Sequence, residues 1–150
     1  MEVHVKAFSD LTPLELYNIA KLRVDVFVVE QNCAYHEFDD LDQNAIHVWI
    51  EDEDGVEAYL RVLDRGVESE YVALGRVISA RRGKGYGAMI MQEGIRVAKE
   101  KYNAGKIYLE AQTYAEGFYM KQGFRRISEE FMLDGIPHYK MLREDKEDNR

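Results

Sequence analysis

Cysteine occurs once in this chain, at Cys33, so neither an internal disulfide nor a zinc site built from several cysteines is available. No run of about 18 apolar residues exists, which excludes a transmembrane helix. The opening Met1-Glu2-Val3-His4-Val5-Lys6 lacks the charged-then-apolar layout of a signal peptide, and the expected location is cytoplasmic. Basic residues are in deficit: 20 Lys and Arg stand against 28 Asp and Glu, a net charge of −8. That balance argues against nucleic acid as a partner, because phosphate binding needs a basic surface. No membrane partner is expected either. An acidic cleft would attract an amine-bearing small molecule, although the same charge also serves solubility.

What remains is one domain's worth of material. The 150 residues are 46 % apolar and 32 % charged, enough for a single core without staples. Residues 1–143 read as one unit, and 144–150 as a frayed polar tail. Val3, Val5 and Ala7 alternate as a strand. Thr12-Pro13-Leu14-Glu15 has a capping box and a proline suited to the first helical position. Val24–Val29 is β-branched and admits either helix or strand. Gln31 to Asn44 reads as a surface loop or short helix. Ile46, Val48 and Ile50, then Val56, Ala58, Leu60 and Val62, alternate on either side of the turn Asp54-Gly55, an antiparallel pair. Tyr71 to Ser79 is a nearly continuous apolar strand, as a central position requires. Ala88, Met91, Ile95, Ala98 and Tyr102 then trace a helical stripe that ends at Asn103–Gly105. Ile107, Leu109 and Ala111 form a strand, residues 115–122 a short helix, and residues 126–133 and 137–142 two strands around Asp134-Gly135. This order gives an α+β sandwich around one mixed sheet rather than a repeating doubly wound fold.

The chemistry concentrates in Arg81-Arg82-Gly83-Lys84-Gly85-Tyr86-Gly87. A buried strand runs into alternating glycines and then into a helix. Glycine lets backbone approach a ligand closely, and a helix start presents free N–H groups and positive dipole. The combination suits phosphate. Arg81, Arg82 and Lys84 add mobile positive charge. The segment is not a P-loop and is a poor Rossmann fingerprint.

At this point the sequence resembles the GCN5-related N-acetyltransferases, the GNAT family. Arg82 to Gly87 fits that family's Arg/Gln-x-x-Gly-x-Gly/Ala signature, and Ala115-Glu116-Gly117-Phe118-Tyr119-Met120-Lys121-Gln122-Gly123-Phe124 looks like its Ala-x-x-Phe-Tyr-x-x-x-Gly-Phe. Leu22-Arg23, Val26 to Gln31, Tyr35 to Asp42, Ala111-Gln112 and Asp134 to His138 are similar to the ElaA-like branch. The resemblance spans about residues 3 to 143. It implies a three-layer α/β/α sandwich around a mixed, mostly antiparallel sheet with a central splayed parallel pair, here Leu74–Ser79 and Lys106–Ala111.

It further implies acetyl-CoA as co-substrate, no metal, and acetyl transfer to a small-molecule amine or peptide N-terminus by direct attack in a ternary complex. The cofactor contacts carried over are Val77, Ile78, Arg82, Gly83, Lys84, Gly85, Tyr86, Gly87, Gln112, Phe118 and Tyr119. Tyr119 stands where the family's acid stands, and Glu110 is the candidate base. Phe27, Glu30, Gln31, Tyr35, Glu37, Asp39, Asp42, His47 and His138 are the candidate acceptor contacts. Acidic and aromatic groups suit an ammonium. Glu30 and Gln31 either bond the acceptor or brace the fold, and His47 and His138 either titrate in the site or are structural. One departure stands out: the Asn that usually precedes the second signature is missing, and Gln112 is placed to take over its hydrogen bond. A homodimer through exposed edge strands follows family habit. Rival readings are a non-catalytic CoA-binding module and an interaction protein on the same fold.

Overall fold

A computed structural model describes residues 1–80 and 83–145. Arg81 and Arg82, with the cofactor contact expected of Arg82, lie outside the described residues, as do residues 146–150 of the expected tail. Eight strands form one sheet: β1 (Glu2–Ala7), β2 (Ile46–Asp52), β3 (Gly55–Leu63), β4 (Val72–Ser79), β5 (Lys106–Gln112), β6 (Phe124–Arg126), β7 (Phe131–Leu133) and β8 (Ile136–Glu144). Their order is β1-β2-β3-β4-β5-β8-β6, with β7 paired to β8. Every pairing is antiparallel except β4 with β5. Among the described residues, three α-helices complete the fold: α1 (Pro13–Val24), α2 (Tyr86–Tyr102) and α3 (Glu116–Lys121).

The helices cover both faces, making three layers. Trp49, Tyr59 and Ile78 pack with Ile19 of α1 on one side. Val48, Leu60, Val62, Leu74 and Leu109 pack with Ile90, Met91 and Val97 of α2 on the other. Burial on both faces explains why β3 reads as almost wholly buried. The capping box forms as expected. Thr12 Oγ1 accepts from Glu15 N at 3.1 Å, and Glu15 Oε1 accepts from Thr12 N at 2.9 Å. The buried stripe of α2 runs through Ile90, Met91, Gly94, Val97 and Ala98, slightly rotated from the sequence expectation because Gly94 lets the helix approach Leu60. A Cβ at Gly94 would lie 2.6 Å from Leu60 Cδ2.

Three expectations are corrected or sharpened. Val24–Val29 is helical: α1 continues through a wide π-type turn over Asp25–Glu30. The single strand expected over residues 126–133 is two short strands, because Ile127 to Glu130 leave the sheet between β6 and β7. Gln31 to Asn44 is more than a surface loop, since it carries the buried Glu37 and Asp42. Two residues past 143 also have described partners. Glu144 pairs with Lys106 in the sheet, and Asp145 Oδ1 lies 2.8 Å from Lys99 Nζ. Among the described residues no helix is long and apolar enough to cross a membrane.

Candidate active site

The site begins with a fault in the sheet. On β3, Tyr59 and Arg61 are separated by Leu60 alone, while their partners Ile78 and Gly75 are separated by Arg76 and Val77. This two-against-one count is a β-bulge, which bends its strand. Arg76 adopts a left-handed φ of 52° there, a costly conformation for a side chain of its size. β4 and β5 pair in parallel only at Val72–Ile107 and Ala73–Tyr108. From Leu74 onward they separate, and a cleft of about 470 Å³ opens between them. Residues 74–80 line it continuously, so β4 presents an edge with no β5 partner.

The glycine segment follows this strand. Gly83 and Gly85 take φ of +88° and +74°, values that other residues rarely adopt. Gly85 caps α2, leaving the first N–H groups of that helix without intrahelical partners. Lys84 is less mobile than expected. Its Nζ lies 3.0 Å from Asp52 Oδ2 at the end of β2, and the Tyr86 hydroxyl donates to the same oxygen at 3.0 Å. Phe118 packs against the main core rather than into the cleft.

The far wall comes from β5 and α3. Tyr119 lines the cleft, and its ring packs edge-on against Phe118 and Phe124. Burial, and next the charge of Tyr114, push its phenol above the ordinary range, so it keeps its proton at neutral pH. Glu110 lines the cleft too, and its Oε2 accepts from the Tyr108 hydroxyl at 2.7 Å. Gln112 Nε2 donates to Gln31 Oε1 at 3.1 Å, joining the end of β5 to the turn after α1.

The acceptor-side candidates divide. Phe27, Glu30, Gln31, Tyr35 and His138 line the cleft. Glu37, Asp39, Asp42 and His47 do not line it. Arg23 binds Glu37 at 2.6 Å and Asp42 at 2.8 Å. Arg61 binds Asp39 at 2.6 Å and Asp42 at 2.9 Å. Arg76 binds Glu37 at 3.1 Å and Asp39 at 3.3 Å. Three guanidinium groups thus meet three carboxylates, with Arg23 and Arg61 each only 1 % exposed. Burial opposes ionisation of Asp39, but Arg61 overcomes it and holds the carboxyl at about 2. Tyr35 donates its hydroxyl to Glu37. His47 is fully buried, with Nε2 donating to the Asp42 carbonyl at 2.9 Å and Nδ1 facing the Tyr59 hydroxyl at 2.7 Å. Burial lowers its pKa, which fits a neutral structural ring.

The sequence reading missed several lining residues. Glu68, from the β3–β4 loop, lies over Gly75, where its Oε2 is 4.0 Å from the position a Cβ would take. Its pKa is raised by burial and then by the charge of Glu110. Arg76, Cys33, Tyr114 and Asp134 also line the cleft. Asp134 lies in a segment already singled out by resemblance, but no motif marks the other three, because the fold brings them in from separate parts of the chain. The Cys33 thiol faces the Asp134 carbonyl at 3.5 Å.

Comparison with known proteins agrees with this geometry. The model of the acetyltransferase (GNAT) domain matches residues 15–144. ElaA of Escherichia coli is 38 % identical over 142 residues, covering 91 % of this chain and 92 % of ElaA. A Schizosaccharomyces pombe protein is 36 % identical over 145 residues, 94 % of this chain and 95 % of that one. Among solved structures, an acyl-CoA N-acyltransferase from Pseudomonas aeruginosa superimposes with a TM-score of 0.89 at 35 % identity, over 95 % of this chain and 99 % of that chain.

Proposed function

The chain belongs to the GNAT acetyltransferase family, and from that premise we propose that it moves an acetyl group from acetyl-CoA to a primary amine on a small molecule or peptide N-terminus. Transfer is by direct attack within a ternary complex. The observation that carries this reading is the cleft at the bulge, where an unpaired β4 edge leads into a glycine-capped helix start.

The residues divide the work. The N–H groups of Gly83 to Gly87 hold the pyrophosphate of the co-substrate, where the α2 dipole favours negative charge. The free edge at Val77 and Ile78 takes the pantetheine arm as an added strand. Gln112 borders the thioester. Tyr119 keeps its proton at neutral pH and donates it to the sulfur as the carbon–sulfur bond breaks. Glu30, Glu68 and Glu110 set the charge of the acceptor end. Arg76 does not cancel them, being held by Glu37 and Asp39. A cationic amine is drawn there.

The test is thermal unfolding with excess acetyl-CoA, with ATP and NAD as controls. Saturation at about 100 times Kd adds roughly 2.7 kcal/mol. For a domain of this size that is a rise of about 5–10 °C. The expected result is a rise with acetyl-CoA alone. An equal rise with ATP, or none with acetyl-CoA, contradicts the reading.

A further inference from the structure

We propose that His138 is the general base of the transfer, with its Nε2 taking the proton that the acceptor ammonium must lose. This inference rests on the amine-acceptor reading above. Ring geometry carries it. His138 Nδ1 lies 2.7 Å from the Ile136 carbonyl oxygen. A carbonyl only accepts, so Nδ1 carries the hydrogen. In the neutral ring the lone pair is then on Nε2. No described residue hydrogen-bonds that nitrogen. The side chain is 8 % exposed and lines the same cleft as Tyr119.

The ring is packed on one side, and its backbone is fixed in the sheet on the other. Phe131 of β7 lies 6.0 Å away, centroid to centroid. Across β8, the sheet register sets His138 opposite Gln112. The ring thus rests against the β7–β8 hairpin, while its backbone is paired with the end of β5. His47 makes the contrast. Both of its ring nitrogens have protein partners, so no lone pair is available.

The charged surroundings are accounted for. Carboxylates at Glu30, Glu68, Glu110 and Asp134 share the cleft. The cation Arg76 is spent on Glu37 and Asp39. Tyr35, Tyr114, Tyr119 and the Cys33 thiol complete the titratable lining. On β8 itself, Lys140 sits with its Nζ 5.9 Å from the Phe131 ring. Glu110 is the poorer base. One of its oxygens already accepts from Tyr108, whereas His138 Nε2 accepts from no described residue. Its negative charge suits it to hold the ammonium instead.

The protons balance. The ammonium gives one proton to His138 Nε2, and the freed nitrogen lone pair forms the bond to the acyl carbon. The carbon–sulfur pair goes to sulfur, which takes the Tyr119 proton. The second nitrogen proton restores Tyr119, and His138 releases the first to solvent.

The experiment is the pH dependence of kcat/KM, using acetyl-CoA and the best acceptor among spermidine, tyramine and an alanyl tripeptide. Wild type, His138→Asn and Glu110→Gln are compared. Asn retains a donor for the Ile136 carbonyl but offers no basic nitrogen. The expected result is an acid limb in wild type that disappears in His138→Asn. The plateau falls about 10²–10³-fold, and the acetyl-CoA thermal shift is retained. Free imidazole restores part of the rate of His138→Ala, which decides the matter even if the Asn variant folds poorly. Wild-type rate and acid limb in His138→Asn, or a limb abolished only by Glu110→Gln, overturn the assignment. In both cases transfer itself survives. A wild type that shifts with acetyl-CoA yet transfers to no amine overturns the catalytic reading and this inference with it.

Discussion

Tyr119 and His138 differ in how each could be found. Tyr119 was legible because its motif places it in a short helix ahead of Gly-Phe, and the structure brings it to the cleft. Replacing it with Phe removes one hydroxyl and keeps the edge-on packing with Phe118 and Phe124. We therefore expect Tyr119→Phe to lower kcat about 10²-fold with KM for acetyl-CoA unchanged, measured by steady-state kinetics. Unchanged kcat would reduce Tyr119 to a packing residue. The two histidines were not separable in sequence, since both precede apolar strand residues. Their partners separate them: His47 is enclosed by Asp42 and Tyr59, whereas His138 spends only Nδ1. Glu68 was invisible because nothing local in a polar loop announces that its carboxylate lies over Gly75.

Among the elements, the acidic stretch from Tyr35 to Asp42 was the least legible. Its composition suggested exposed ligands for a cation. Its partners, Arg23, Arg61 and Arg76, come from α1, β3 and β4, and only the fold brings them together. The network ties this segment to the bulged strand that opens the cleft. Its pH dependence follows from Asp39. The folded-state pKa of about 2 lies below the unfolded value of 3.8, so the contribution is present above pH about 4 and is lost as pH falls toward 2. It is worth about 1–2 kcal/mol after allowance for partial exposure. Urea titrations between pH 7 and 2.5 should show wild-type stability falling below pH 4. Asp39→Asn should be less stable at pH 7 and have a shallower fall. An equal slope in both would contradict this account. Helix α2 offers a packing test. Gly94→Ala places a methyl 2.6 Å from the fully buried Leu60. We expect a loss of about 1–2 kcal/mol, despite the gain in helix propensity. Leu60→Val, which removes the clashing δ-carbons, should cost less in the Gly94→Ala background than in wild type. Additive losses in a double-mutant cycle would rule out the contact.

At the scale of the whole molecule, strand alternation, the α1 cap, the α2 stripe and the glycine signature carried the fold. What they did not carry was its decisive irregularity. Gly75 looks like the flexible point of β4, yet the left-handed residue is its neighbour Arg76. Local propensity cannot foresee that choice, because distant ion pairs with Glu37 and Asp39 hold Arg76 there. The bulge in turn opens the cleft, so the site depends on contacts among α1, the acidic segment and the sheet. Acyl transfer to an amine in that cleft is the proposal on which the catalytic predictions rest. The most direct measurement is the initial rate of CoA release with acetyl-CoA and amine varied together. The amines are spermidine, tyramine and an alanyl tripeptide, and mass spectrometry identifies the acetylated product. The expected result is acetylated amine and intersecting reciprocal plots for at least one acceptor. Parallel plots with an acetylated enzyme, or no acetylated amine from any acceptor despite bound acetyl-CoA, would contradict it.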